Sequence, residues 1–300
     1  MSSRYILFKL AAKSLRNRAL VSSLTIASIA LSVTLLVGIE NVRTGMRESF
    51  ANTIRGTDLI VGARGGTIQL LLYSVFGMGS PTNNVSYDTY EHFAEHPAVA
   101  WTIPYSLGDS HRGFRVIGTD SSFYQHYQYR RGRGIELAAG RPAKDVFDVV
   151  VGADVARTLD YDIGSRIIVT HGMGPSGIMD HDDTPFRVVG VLAKTFTPVD
   201  RAVYVTLHGI AAIHVGWEQG APPMPGTELS ASRFDPDSLA IDQITSFFLA
   251  AKSRVATLQL QREINTFEAE PLMAVIPGVA LGEMWRGIGY AEDGLRIVSG

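Results

Sequence analysis

In a chain of 300 residues, 27 Lys and Arg stand against 29 Asp and Glu, and cysteine is absent. Without thiols there is no disulfide framework, no thiolate metal site and no cysteine nucleophile. Arg4, Lys9, Lys13, Arg16 and Arg18 all precede the first acidic residue, Glu40; setting those five aside leaves 22 basic against 29 acidic side chains, about −7, which excludes a nucleic-acid-binding surface for the remainder.

Residues 5–18 read as a short amphipathic helix. At 100° per residue Lys9, Lys13 and Arg16 fall within about 60° of one another, with Leu7, Leu10 and Ala11 opposite. Such a helix lies in the cytoplasmic headgroup layer, or is simply the charged flank of a membrane anchor. From Ala19 to Ile39 there is no charge, and about 20 apolar residues cross a hydrocarbon core of about 30 Å. Ala30-Leu31-Ser32 offers small residues where a signal peptidase reads. Val33–Ile39 nevertheless continues apolar, so the reading is an uncleaved anchor, residues 19–40, with the basic amino terminus inside and the bulk of the chain outside.

The helical period continues through Ile39, Val42, Met46, Phe50 and Ile54, which predicts a stalk over 41–56 ended by Gly56. A strand is expected at Asp58–Val61, closed by a glycine turn whose spacing is not that of a dinucleotide-binding loop. Tyr87–His96 reads as a helix stopped by Pro97. Strands follow at Trp101–Leu107, Phe114–Thr119, Val146–Val151, Arg166–Thr170, Phe186–Leu192 and Ala202–Val205, with a short helix at Asp154–Leu159. A long loop around Gly220–Gly226 precedes a helix near Val255–Phe267 and a strand at Leu272–Ile276. Leu281, Met284, Trp285, Ile288, Ala291, Leu295 and Val298 then trace a second stalk over 281–300, heading for a further span that the sequence does not contain. The expected architecture is α+β: one transmembrane helix with its stalk, then a domain over 57–280.

No glycine is followed by lysine, so there is no phosphate-binding loop and no ATP hydrolysis by this chain itself; a nucleophile elbow and H-E-x-x-H are also missing. His92-Phe-Ala-Glu-His96 fits the inverted zinc-protease pattern H-x-x-E-H, but His96 precedes Pro97 at a fraying helix end, where a histidine is unremarkable. His171, His181, Asp182 and Asp183, with His208 and His214 further on, could hold a divalent metal from a glycine-rich loop or be solvated loop polarity. Arg130, Arg131 and Arg133, set among glycines and tyrosines, read as a solvated loop before an anion site.

"LAAKSLRNRALVSSLTIASIALSV" resembles the start of MacB/FtsX-type ABC transporter permeases. "ELAAGRPAKDVFDVVVGADVARTLDYDIGSRIIV" (136–169) and "PFRVVGVLAKTFTPVDRAVYV" (185–205) are similar to that family's periplasmic core. The resemblance implies a domain with a porter-like α/β part and a β-rich part, here about 136–235, placed between the first and second of four membrane helices. It also implies an inner-membrane location and a dimer of permeases. ATP is bound by a separate or fused cytoplasmic ATPase, no cofactor is held by the chain itself, and the moved substrate is a lipoprotein, peptide or small molecule. On that reading Lys9, Lys13 and Arg16 sit at the cytoplasmic coupling face, and Val42, Met46 and Phe50 lie in the stalk that transmits motion. The alternative is a membrane-anchored metal-binding module built on the His171/His181 loop.

Overall fold

The computed structural model describes residues 18–51, 53–171, 186–215 and 239–299, together with Tyr5, Lys9, Lys13 and Arg16. The chain divides into two compact units, residues 1–50 and 51–300. In the first, helix α1 (Ala19–Ala51) runs 33 residues. Its stretch Ala19–Asn41 has a mean hydropathy of 2.2 and none of it is buried in protein, which makes it long and apolar enough to cross a membrane. Leu20, Ile26, Leu31, Leu36 and Ile39 point outward around the whole circumference rather than along one stripe, as a helix surrounded by hydrocarbon requires.

The second unit opens with β1 (Leu59–Ala63), α2 (Thr67–Val75), β2 (Val85–Ser86), α3 (Tyr87–Ala94) and the long strand β3 (Val99–His111). Ser86 caps α3 by accepting from the Thr89 amide, and Asp88 sits in its first turn where the helix dipole favours negative charge. Much later come β13 (Gln243–Ile244), β14 (Ser246–Ala251), α7 (Arg254–Asn265), β15 (Leu272–Val275) and α8 (Pro277–Ser299). Strands β15, β1, β14 and β3 lie side by side in that order, every neighbouring pair antiparallel. With α3 joining β1 to β3 and α7 joining β14 to β15, this is a split β-α-β, the ferredoxin-like arrangement. Alternate residues of three strands, Leu59 and Val61, Phe247 and Leu249, Leu272 and Ala274, meet Tyr90 and Phe93 of α3 and Leu260 and Ile264 of α7 in one core. These side chains are all at most 6% exposed, and a fully buried aliphatic or aromatic side chain contributes about 1.5–3 kcal/mol.

Between β3 and β14 the chain builds the β-rich part: β4 (Phe114–Thr119), α4 (Ser121–His126), β5 (Gln128–Tyr129), β6 (Arg133–Gly134), β7 (Leu137–Gly140), β8 (Asp148–Val151), α5 (Ala153–Leu159), β9 (Arg166–Ile167), β10 (Thr170–His171), β11 (Phe186–Leu192), a 3-10 turn at Pro198–Arg201, β12 (Ala202–Thr206) and α6 (Leu207–His214). Its sheet continues from β3 through β4, β12, β8 and β11 to β7. Strand β3 therefore serves both halves. Val99 and Trp101–Tyr105 pair with β14, whereas Ser106, Leu107, Ser110 and His111 pair with β4 around a bulge at Gly108 and Asp109. The second core gathers Val149, Val151, Val155, Ile167, Phe186, Val188, Val203 and Val205.

Several elements differ in extent from the sequence reading. Helix α1 ends at Ala51, before Gly56, because Ile54 turns into the second unit and Arg55 forms a bridge to Gln128. The glycines after β1 lead straight into α2, a helix absent from the sequence reading, whose buried face carries Leu70, Leu71 and Tyr73. Strand β14, likewise absent from it, is buried along nearly its whole length.

Candidate functional site

Among the described residues the most elaborately built surface feature is the loop between β11 and β12, "AKTFTPVDR". Its centre is Asp200, a carboxylate only 1% exposed. The amide and hydroxyl of Thr195 each donate to Oδ1 at 2.8 Å, and the amide of Phe196 donates to Oδ2 at 2.7 Å. Lys194 Nζ lies 2.9 Å from Oδ2 and 2.7 Å from Asp154 on α5, which in turn pairs with Arg157 at 2.6 Å. The hydroxyls of Thr195 and Thr197 are 2.8 Å apart, and Thr197 caps the 3-10 turn through the Val199 amide. A buried charge is tolerated when it is paired and hydrogen-bonded, and this one has both. Beneath the loop, a Cβ on Gly152 would stand 2.5 Å from the carbonyl carbon of Asp200, so only glycine lets α5 start this close.

What this framework holds is Phe196. Its backbone has φ 58°, the left-handed region that a bulky side chain adopts only under external constraint, and the residue is 64% exposed. Lys194 Nζ and Arg130 Cζ lie over the ring at 5.3 and 5.2 Å from its centroid. Arg130, at the tip of the β5–β6 hairpin, is itself in the left-handed region with φ 47°.

Behind the loop runs a buried file of aromatics. The Tyr204 hydroxyl donates to the Val199 carbonyl at 3.3 Å, and its ring stacks on Phe123 at 4.6 Å and 17°. Phe123 meets Tyr127 at 5.2 Å, and the Tyr127 hydroxyl donates to the carbonyl of Thr53 at 3.0 Å. Burial raises the phenol pKa values of Tyr204 and Tyr127 well above the usual range, so both remain hydrogen-bond donors. Next to this contact the Arg55 amide donates to the Gln128 carbonyl at 2.8 Å. The file thus ends two residues beyond the last residue of α1.

Of the residues singled out from the sequence, Lys9, Lys13 and Arg16 are helical and exposed. Val42, Met46 and Phe50 lie on the backbone of α1, with side chains outside the described residues; His181, Asp182 and Asp183 lie outside them altogether. His171 ends β10, in register with Asp109 of β3, and His214 Nε2 is 3.8 Å from Asp109 Oδ1. No group of three or more His, Asp or Glu able to hold a metal occurs among the described residues. His92 packs on Phe93 and Phe267, whereas His96 accepts from the Ala98 amide and faces Glu263 at 3.7 Å, so these two imidazoles turn to separate partners.

The geometry is that of one helix long and apolar enough to cross a membrane and a domain of two joined parts, one ferredoxin-like and one β-rich. The family model for the MacB-like periplasmic core domain matches residues 22–267, and the chain belongs to that family, as the resemblance to MacB/FtsX-type ABC transporter permeases implies. Two solved structures share the outline: the periplasmic region of MacB from Actinobacillus actinomycetemcomitans, 11% identical over 77% of this chain and 94% of that one with a TM-score of 0.47, and the extracellular domain of the noncanonic ABC-type transporter YknZ from Gram-positive bacteria, 10% identical over 72% and 98% with a TM-score of 0.41. Both likenesses are loose, and the assignment rests on the family match. No curated relative matches.

Proposed function

We propose that the chain is the permease subunit of an ABC transporter whose extracytoplasmic domain converts ATP-driven movement of its membrane helices into displacement of a lipoprotein, peptide or small molecule. The observation that carries this reading is the unbroken contact from the carbonyl of Thr53, just past α1, through Tyr127, Phe123 and Tyr204 to the loop at Asp200. Packed aromatics in a dense interior pass on a displacement rather than absorbing it. In the same reading ATP sits on a separate cytoplasmic subunit, two permease chains pair, and Lys9, Lys13 and Arg16 meet the ATPase or the inner leaflet. Five Lys and Arg before α1 favour the amino terminus inside. The test is isolation of the chain from detergent-solubilised native membranes with mass spectrometry of what accompanies it. An ATP-binding subunit in stoichiometric amount is the expected result; the chain alone, carrying stoichiometric zinc that a His171→Ala/His181→Ala variant loses, would overturn it in favour of a metal-binding module.

A further inference from the structure

The Phe196 loop combines features that a merely solvated turn lacks. A left-handed phenylalanine is strained and persists only where its surroundings over-determine it, which the Asp200 carboxylate does through two backbone amides. The strained backbone does not bury the side chain; the residue is left 64% exposed. Rigid, projecting aromatics are the side chains that carry most binding energy when they fill a partner's pocket.

The charges around the ring specify the partner. Lys194 is committed to Asp154 and Asp200. By contrast, none of the ion pairs among the described residues involves Arg130, Arg131 or Arg133, all exposed on the adjoining hairpin turn. The tip, with Arg130 held at φ 47° before Gly132, sets the first of these guanidinium groups over the ring. Three cations outside those ion pairs gather here on a chain whose portion beyond the anchor is net acidic. Guanidinium groups recognise carboxylates in a planar, paired geometry.

We propose that Phe196 with Arg130, Arg131 and Arg133 is a docking knob for a second, extracytoplasmic protein, which receives the ring in an apolar pocket rimmed by Asp and Glu. An anionic headgroup would satisfy the guanidinium groups but offers no fixed pocket for a rigidly aimed ring, so a protein surface accounts for both halves of the feature. The proposal goes beyond the permease reading and does not require it.

The test places a photoreactive benzoylphenylalanine at position 196 of the full chain in native membranes. Phe196→Ala serves as a folding control, expected to melt with the wild type because the described ring contacts are the two cations. The expected result is an adduct with one soluble or tethered protein, the linked peptide flanked by Asp or Glu. That protein, once purified, binds the wild-type chain at least tenfold more tightly than Phe196→Ala or Arg130→Glu, and its affinity falls as salt is raised. Adducts only with lipid, adducts only with a second copy of this chain, no adduct, or a purified partner that binds Phe196→Ala as tightly as wild type would each overturn the proposal.

Discussion

Asp200 decides whether the loop keeps its shape. Its replacement by alanine removes the acceptor from three donors and a partner from Lys194, all within a site sealed by Gly152. Unmade bonds of this kind cost about 1–3 kcal/mol and a broken buried pair about 3–5, so Asp200→Ala should lower unfolding stability by about 2–4 kcal/mol in urea; a change below about 1 kcal/mol would show that the loop supports itself without the carboxylate. Nearby Asp154 provides a pH handle. The hydrogen bond from Lys194 holds its carboxyl below the usual carboxylate range, against a smaller opposing effect of burial and with help from Arg157 and Arg201. A depressed folded value means the pair stabilises above the ordinary carboxylate range and that this part is lost as pH falls through the folded value. Between pH 7 and pH 3 the wild type should therefore lose more stability than Asp154→Asn. Parallel pH profiles for the two would contradict the assignment.

At the scale of elements, α1 carries a separable expectation. An arginine in place of Ile29, near the middle of the apolar stretch, adds about 2.5–3.5 kcal/mol to membrane insertion. Ile29→Arg should therefore shift chain from the carbonate-resistant membrane fraction to the soluble or degraded one, and unchanged membrane retention would mean that α1 does not span. This helix was legible in the sequence because twenty-one uncharged residues, 19–39, follow five basic ones and run on past the candidate cleavage site. The strands at 114–119, 148–151, 186–192 and 202–206 were legible for a related reason, since each is a β-branched run bounded by turn residues. Strand β14 was not: "SFFLAA" is buried on both faces and has no alternation, so only its pairing with β1 and β3 reveals it. Helix α2 is nine residues long and begins after a glycine pair without a side-chain cap, which left no start signal to read. The candidate site was hardest of all. Arg130 and Phe196 are 66 positions apart, and a lone phenylalanine between threonines carries no pattern until the fold closes Asp200 beneath it.

Across the whole molecule, the chain is a MacB-like periplasmic core domain joined to one apolar helix, and the role proposed for it is mechanical. The two halves share β3, whose partner changes from β14 to β4 between Tyr105 and Ser106, and the Tyr127–Thr53 and Arg55–Gln128 bonds form the described link to the chain just beyond α1. Under that proposed role, the domain should report the nucleotide state of a cytoplasmic ATPase far from the membrane. The decisive measurement is amide hydrogen exchange on the chain in nanodiscs with its copurified ATPase, nucleotide-free and with ATP plus vanadate. The amides of Arg55, Tyr127 and Thr195–Phe196 should change protection together between the two states. Active ATP turnover with identical exchange at all these positions would contradict transmission through the domain.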